Sequence, residues 1–313
     1  MRLKNKLKNI FNRISLLINF HKHNENKNHI YKQLLIQSTI VPENSISCII
    51  FSMDRALQLD ALLRSFFLNK SGDCNVHVLY RATTDMHKKS YQELVDLYQE
   101  NVLFTQESGS GFKTQLMDIV QNIRTGKLFF LVDDILFTEK VNFDKLAKID
   151  ASKYIFSLRM GSHLNHSYVV DKEQALPSFF NSDENYLYWK WNEGELDWAY
   201  PLSVDGHIFN TAEMKLLIEY SDFKAPNSFE SALQRYRDLF ISRIGMCYHK
   251  ARIVNNPCNK VQNEINNLHG SYHQDDLLKQ WQNNKEIDIE KLQGYMNRSV
   301  HEEIEFYFKD RVK

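Results

Sequence analysis

Apolar residues recur along this chain in changing rhythms. In the opening stretch MRLKNKLKNIFNRISLLINF, Leu3, Leu7, Ile10, Phe11, Ile14, Leu17 and Ile18 fall at three- and four-residue spacing, with basic residues mostly between them. That spacing predicts an amphipathic helix with a cationic polar face. The following HKHNENKNH is polar and predicts a tether. From Ser45 onward, short and almost fully apolar runs alternate with helical spacing. ISCIIFS predicts a buried strand, and Leu59, Leu62, Leu63, Phe66 and Phe67 the apolar face of a helix. Strand VHVLY (76–80), helix SYQELVDLYQ, strand VLFT (102–105), helix FKTQLMDIVQNI and strand KLFFLVD (127–133) follow. Strands apolar on both faces and separated by helices predict an α/β fold whose mostly parallel sheet is flanked by helices. Ligands in such sheets bind beyond the carboxyl ends of the strands, which directs attention to the residues just after each strand. Residues 159–205 are loop-rich and aromatic, and the tail from about Tyr272 is expected to be helical.

Composition changes this picture in one respect. Basic and acidic residues number 39 each, so the net charge is zero and the usual argument for a nucleic-acid binder is absent. The charge is unevenly placed, however. Residues 1–33 hold eight basic side chains against Glu25, a net of seven positive charges, and the rest carries seven negative. A cationic amphipathic helix suits peripheral contact with an anionic membrane, or docking on the chain's own domain or on a partner. No apolar run reaches the roughly 18 residues of a membrane span, so a cytoplasmic protein, peripheral on the inner face of the membrane, is expected. Cys48, Cys74, Cys247 and Cys258 show no metal-site spacing, and Cys48 and Cys247 lie in apolar runs expected to be buried and reduced.

The strongest chemical signal is LFFLVDDILF, residues 128–137. An apolar strand ends abruptly in Asp133 and Asp134. Adjacent carboxylates there repel and lose hydration unless a cation neutralises them, and Mg²⁺ or Mn²⁺ does so while bridging to phosphate. Turn-capping aspartates are the plainer alternative. Ser52, Asp54 and Arg55 follow the first strand, and Arg81 follows the second. SGSGFK (108–113) enters a helix with backbone amides and Lys113 suited to phosphate, without P-loop spacing. Arg159 closes another strand, in SLRMG. Asp205 lies in YPLSVDGH, and Glu230 in PNSFESALQ, near a helix start where carboxylates are favoured.

This order of elements and motifs over roughly 46–265 resembles the GT-A-fold glycosyltransferases, which move a sugar from a nucleotide-sugar donor. The resemblance implies a GT-A-like sheet and a divalent cation, Mn²⁺ or Mg²⁺, held by a DXD-like motif, here VDDI. Which of Asp133 and Asp134 holds metal and which the donor is left open. It further implies donor contacts from Ser52, Asp54, Arg55, Arg81, Lys113, Asp133, Arg159, Asn259 and Gln262. His207 becomes a candidate extra metal ligand, and Trp191, Trp198 and Tyr200 candidate acceptor contacts. Glu230 becomes the general base of an inverting reaction, with Asp205 in reserve. Here Glu230 is followed by Ser231 where the family's common pattern has an aspartate. The expected organisation is a basic helix and tether over 1–44, a catalytic domain over 45–270 and a helical extension over 271–313. The donor half of the domain spans about 45–160 and the acceptor half about 161–270. Expected partners are a nucleotide-sugar, a glycan or glycolipid acceptor and an anionic membrane met by residues 1–33, with no nucleic acid. Two rival readings are a nucleotidyltransferase that makes an activated sugar and a non-catalytic carbohydrate- or partner-binding module. FSMDRALQ lacks the Gly-rich basic loop that the first rival usually carries after its first strand.

Overall fold

The computed structural model describes residues 21–33, 43–180, 182–257 and 274–311. Eight strands form the central sheet: β1 (Ile46–Met53), β2 (Asn75–Arg81), β3 (Val102–Gln106), β4 (Lys127–Val132), β5 (Tyr154–Ser157), β6 (Tyr186–Lys190), β7 (His207–Asn210) and β8 (Ile244–Tyr248). Their spatial order is β6-β8-β5-β7-β4-β1-β2-β3. β3, β2, β1 and β4 are mutually parallel, as are β8 and β5, whereas β7 runs antiparallel between β4 and β5 and β6 antiparallel at the edge. This is the mostly parallel, helix-flanked sheet that the apolar runs predict. From β1 the chain winds outward through β2 and β3, then returns to place β4 on the other side of β1. The carboxyl ends of β1 and β4 therefore flank a topological switch point, where open α/β sheets leave a crevice.

Side-chain alternation along β1 explains why both faces are covered. Cys48 and Ile50 point into one core, with helices α2 (Ala56–Asn69), α3 (Asp85–Tyr98) and α7 (Gln274–Gln282). Ile49 and Phe51 point into the other, with α4 (Phe112–Asn122), α5 (Thr211–Tyr220) and α6 (Pro226–Gln234). In β4, Phe129 and Leu131 take the first side and Leu128 and Phe130 the second, the two-residue period of a strand.

Two segments differ from expectation. Residues 21–33, within which a tether was predicted, form a helix, α1. Ile30 is buried in the second core, His23 and His29 pack on Tyr236 and Tyr220 at 5.4 and 5.2 Å, and Lys27 Nζ meets Asp238 Oδ2 at 2.7 Å. The polar composition thus conceals one anchoring isoleucine and two ring contacts. Residues 1–20, which carry the amphipathic pattern, lie outside the described residues.

Among the described residues the tail is α-helical only over α7, with one 3-10 turn at Ile289–Leu292. Beyond it, Ile304 and Phe306 are buried while Glu303, Glu305 and Tyr307 are exposed. That period of two is extended chain, and it ends in a strand, Phe308–Asp310, paired with Lys285–Ile287. Cys48, Cys74 and Cys247 are buried and free, while Cys258 lies outside the described residues.

Candidate active site

The end of β1 is held open by its own aspartate. Asp54 takes a left-handed backbone, φ 55°, and its carboxylate accepts hydrogen bonds from Thr83 N at 2.8 Å and Thr83 Oγ1 at 2.6 Å. This latch ties the turn after β1 to the turn after β2. Asp54 is thereby occupied structurally and does not line the cleft described below. Arg55 comes next, and its guanidinium Nη1 lies 2.9 Å from Asp133 Oδ1 and 2.7 Å from Asp134 Oδ2.

The two aspartates differ in their surroundings. Asp133 Oδ2 accepts from Ser52 Oγ at 2.8 Å and Met53 N at 3.0 Å, so both of its oxygens are engaged. Behind them, Tyr91 OH lies 2.5 Å from Ser52 Oγ and accepts from Arg55 N at 3.2 Å. With Ser52 donating to Asp133, the Tyr91 proton goes to Ser52, forming a directed relay beneath the site. Asp134, by contrast, leaves Oδ1 buried without a hydrogen-bond partner. Burial pushes its pKa up to about 6, with Arg55 pulling the other way and Asp133 and Asp205 adding to the rise.

Across the crevice, Gly206 has φ 74°, a left-handed backbone that strains any residue with a side chain. That turn sets Asp205 just before β7. Asp205 Oδ2 lies 3.5 Å from Arg159 Nη1 and 3.3 Å from His301 Nε2. Burial favours the neutral acid, but His301 and Arg159 hold the Asp205 carboxyl below its usual range. Reciprocally, Asp205 raises the pKa of His301 against the effect of burial. Glu230 lies one turn into α6, whose start is tied by Ser228 Oγ, which accepts from Ala225 N at 3.0 Å. Its Oε1 accepts from Ser203 Oγ at 2.9 Å and Val204 N at 3.1 Å. Burial, then the Asp205 charge, raises its pKa.

These groups line one cleft of about 840 Å³. Ser52, Arg55, Arg81, Asp133, Asp134, Arg159, Tyr200, Asp205 and Glu230, all singled out in the sequence, lie along its wall. Four other candidates are placed elsewhere. Lys113 Nζ donates to Glu219 O at 3.2 Å and Ser221 O at 2.5 Å, stapling α4 to the end of α5. Trp191 and Trp198 are fully buried with Trp189, their rings 4.7 and 5.0 Å from it, forming an indole floor within the second core. The His207 ring is also fully buried. Its Nδ1 meets Pro201 O at 3.0 Å, and burial drives its pKa down to about 3, so it faces the indole floor as a neutral ring. Asn259 and Gln262 lie outside the described residues.

Residues that sequence reasoning missed are His301, Asp197, Glu107 and Tyr91. His301 arrives from the tail through a bridge between Asn255 and His301, and nothing local to VHEEIEF marks it. Asp197 Oδ1 lies 3.9 Å from Arg159 Nη2, and its Oδ2 is buried without a hydrogen-bond partner.

The donor set admits a divalent cation. Along the whole cleft six carboxylates, Glu107, Asp133, Asp134, Asp197, Asp205 and Glu230, face five basic side chains, Arg55, Arg81, Arg159, Lys224 and His301, so the feature that admits the ion is the unpartnered oxygen of Asp134. Among the described residues no three His, Cys, Asp or Glu side chains are gathered around a common point, so phosphate and water would complete the coordination shell.

No family model matches the chain. In an alignment 198 positions long that covers 56% of its length, it is 29% identical to the bifunctional glycosyltransferase pgtA of Dictyostelium discoideum. It spans only a quarter, 25%, of that relative. Among solved structures, S. aureus TarS 1-349 aligns at TM-score 0.44 and 15% identity, covering 67% of this chain and 59% of that one. GalNAc-T7 with UDP, GalNAc and Mn²⁺ aligns at TM-score 0.41 and 11% identity, covering 65% and 43%. The sequence relative is thus a glycosyltransferase, the class that the order of motifs resembles.

Proposed function

We propose that the chain transfers a sugar from a nucleoside-diphosphate sugar to a hydroxyl of a glycan or glycolipid acceptor, with inversion. The observation that carries this reading is the pairing, across one cleft at the sheet's switch point, of two differently tuned carboxylate sites. On the β4 side, Asp134 offers a buried, unpartnered oxygen beside Arg55. On the α6 side, Glu230 is a half-buried carboxylate with a raised pKa. A base works best when its pKa approaches the working pH, because it then combines ionisation with proton affinity.

Asp134 would hold a divalent cation whose charge assists departure of the nucleoside diphosphate. Arg55 supplies a second positive charge on the same side, and a guanidinium is well matched to phosphate oxygens. The apolar wall of Phe51, Leu79 and Phe112, edged by Arg81 and Glu107, is the part of the cleft suited to a nucleobase. The acceptor enters past Tyr200. Glu230, steadied through Oε1 by Ser203 and Val204, takes the hydroxyl proton as that oxygen bonds to the anomeric carbon. The bond from that carbon to the diphosphate breaks on the opposite face, so inversion follows.

Membrane contact belongs to the same proposal. No described helix is long and apolar enough to cross a membrane. Because α1 docks on the domain, lipid contact through residues 1–33 falls chiefly to the basic stretch 1–20. Deleting 1–20 is then expected to release the protein from phosphatidylserine vesicles, and unchanged binding would refute the contact.

Transfer itself is tested by incubating the full chain with UDP-, GDP- and CDP-linked sugars plus Mn²⁺ and measuring nucleoside diphosphate release. One nucleotide class should be turned over, and Glu230→Gln should lower the rate by about 10²–10⁴ while donor still binds. Turnover of none of them would sink the reading. Pyrophosphate release from a nucleoside triphosphate would point to the nucleotidyltransferase rival instead.

A further inference from the structure

Arg55 stands between the two carboxylates that a metal ion would need. Its Nη1 reaches both, at 2.9 and 2.7 Å, and the three side chains are all about nine-tenths buried. Its backbone is equally constrained, since Arg55 N donates to Tyr91 OH and Leu59 N donates to Arg55 O as α2 begins. Adjacent buried carboxylates repel each other, and a fixed guanidinium relieves that repulsion without any bound ion. A divalent cation approaching Asp134 therefore meets a positive charge already hydrogen-bonded to the same carboxylate. At such short range two cations repel strongly even through the effective dielectric of a protein.

We propose that Arg55 is a built-in counterion that competes with the divalent cation for Asp134. The nucleotide-free protein then binds the ion weakly. It binds the ion well once a nucleoside diphosphate offers the guanidinium a second anion to face. This rests on the donor-site reading above, and it adds a consequence that the donor site alone does not carry. Metal and nucleoside diphosphate bind cooperatively because one side chain is shared between the aspartates and the phosphates. By linkage each ligand strengthens the other by the same factor. Arg55 is a positioning residue in this scheme, acting through the acid pair rather than on the reacting carbon.

Mn²⁺ titrated into the nucleotide-free full chain, with free ion counted by electron paramagnetic resonance, tests the competition directly. Removing the charge in Arg55→Gln should tighten Mn²⁺ binding by about tenfold or more, since a like charge in contact with a ligand group shifts its equilibria by at least that order. Arg55→Lys keeps the charge and should stay within roughly threefold of the wild type on the same grounds. Equal or weaker binding by Arg55→Gln overturns the proposal, as does an absence of Mn²⁺ binding in both proteins.

A second measurement needs no substituted protein to fold beyond the one used for assignment. With ¹⁵N-arginine labelling, the Arg55 Nε–H signal of the wild type, assigned by its loss in Arg55→Lys, should shift as Mg²⁺ is added without nucleotide. A signal unmoved by Mg²⁺ overturns the competition. Both readings are taken without donor, so their failure is separate from failure of the transfer reading, which fails on nucleotide binding.

Discussion

Asp134 is held in the folded protein at a cost, and removing its charge should show it. Its carboxyl lies beside Asp133 with one oxygen buried and unpartnered, and its pKa is raised from 3.8 to about 6. A rise of about two units corresponds to about 3 kcal/mol favouring the protonated form, at 1.36 kcal/mol per unit. The unfolded chain releases its proton near 4 and the folded chain only near 6. The destabilisation is therefore fully present above about pH 6 and mostly gone by pH 4. Asp134→Asn imitates the neutral acid, and Arg55 keeps Asp133 as its partner.

At pH 7.5, with chelator present, the variant should be more stable than the wild type by about 1–3 kcal/mol, or a few °C in Tm for a domain of this size. At pH 4 the difference should nearly vanish. Urea unfolding followed by circular dichroism at both pH values measures this. A variant less stable than the wild type at pH 7.5, or a gain equal at both pH values, would refute the reasoning. The gain in stability should come with loss of metal-dependent nucleotide binding, because a site held under strain is less stable than a neutral one.

Other consequences follow from neighbouring contacts. Trp191→Ala should cost about 3–5 kcal/mol in urea unfolding, because a fully buried indole leaves a cavity in the core; a loss under 1 kcal/mol would contradict its place in the floor. Lys113→Met should leave nucleotide affinity within about twofold, because its ammonium is spent on carbonyls of Glu219 and Ser221, and a drop of tenfold or more in calorimetry would restore it to the donor site. His301 has a raised pKa against Asp205, so its contribution is fully present below pH 6.5 and fades as pH rises through the folded value. His301→Ala should accordingly destabilise more at pH 6 than at pH 9, and an equal loss at both would contradict the ion pair.

The parts legible in the sequence are those whose signal is local. β1, β2 and β4 are apolar runs bounded by turns, and both faces of the sheet are covered as such runs require. Asp133 and Asp134 stand out because carboxylates rarely end so apolar a strand. Arg159, Asp205 and Glu230 come from three distant segments, yet Arg159 follows a strand, Asp205 immediately precedes one and Glu230 lies one turn into a helix, so position in the fold marks them. His301 is different, since its tail becomes part of the site only by crossing Asn255, a contact between residues far apart in sequence. Trp191 and Trp198 mislead for a related reason. An aromatic cluster in a loop suits a sugar face and a core equally, and only burial separates the two. Helix α1 escaped notice because a single isoleucine and two histidine rings anchor it, too sparse a pattern for a periodicity argument.

The most direct test of the central claim is calorimetric titration of UDP, GDP and CDP into the full chain, with Mn²⁺ and with chelator. One of these nucleotides should bind in a metal-dependent manner, and Asp134→Ala should abolish the metal dependence. If none of them binds under either condition, or if binding is the same in Asp134→Ala as in the wild type, the assignment of this cleft to a nucleoside-diphosphate sugar is contradicted.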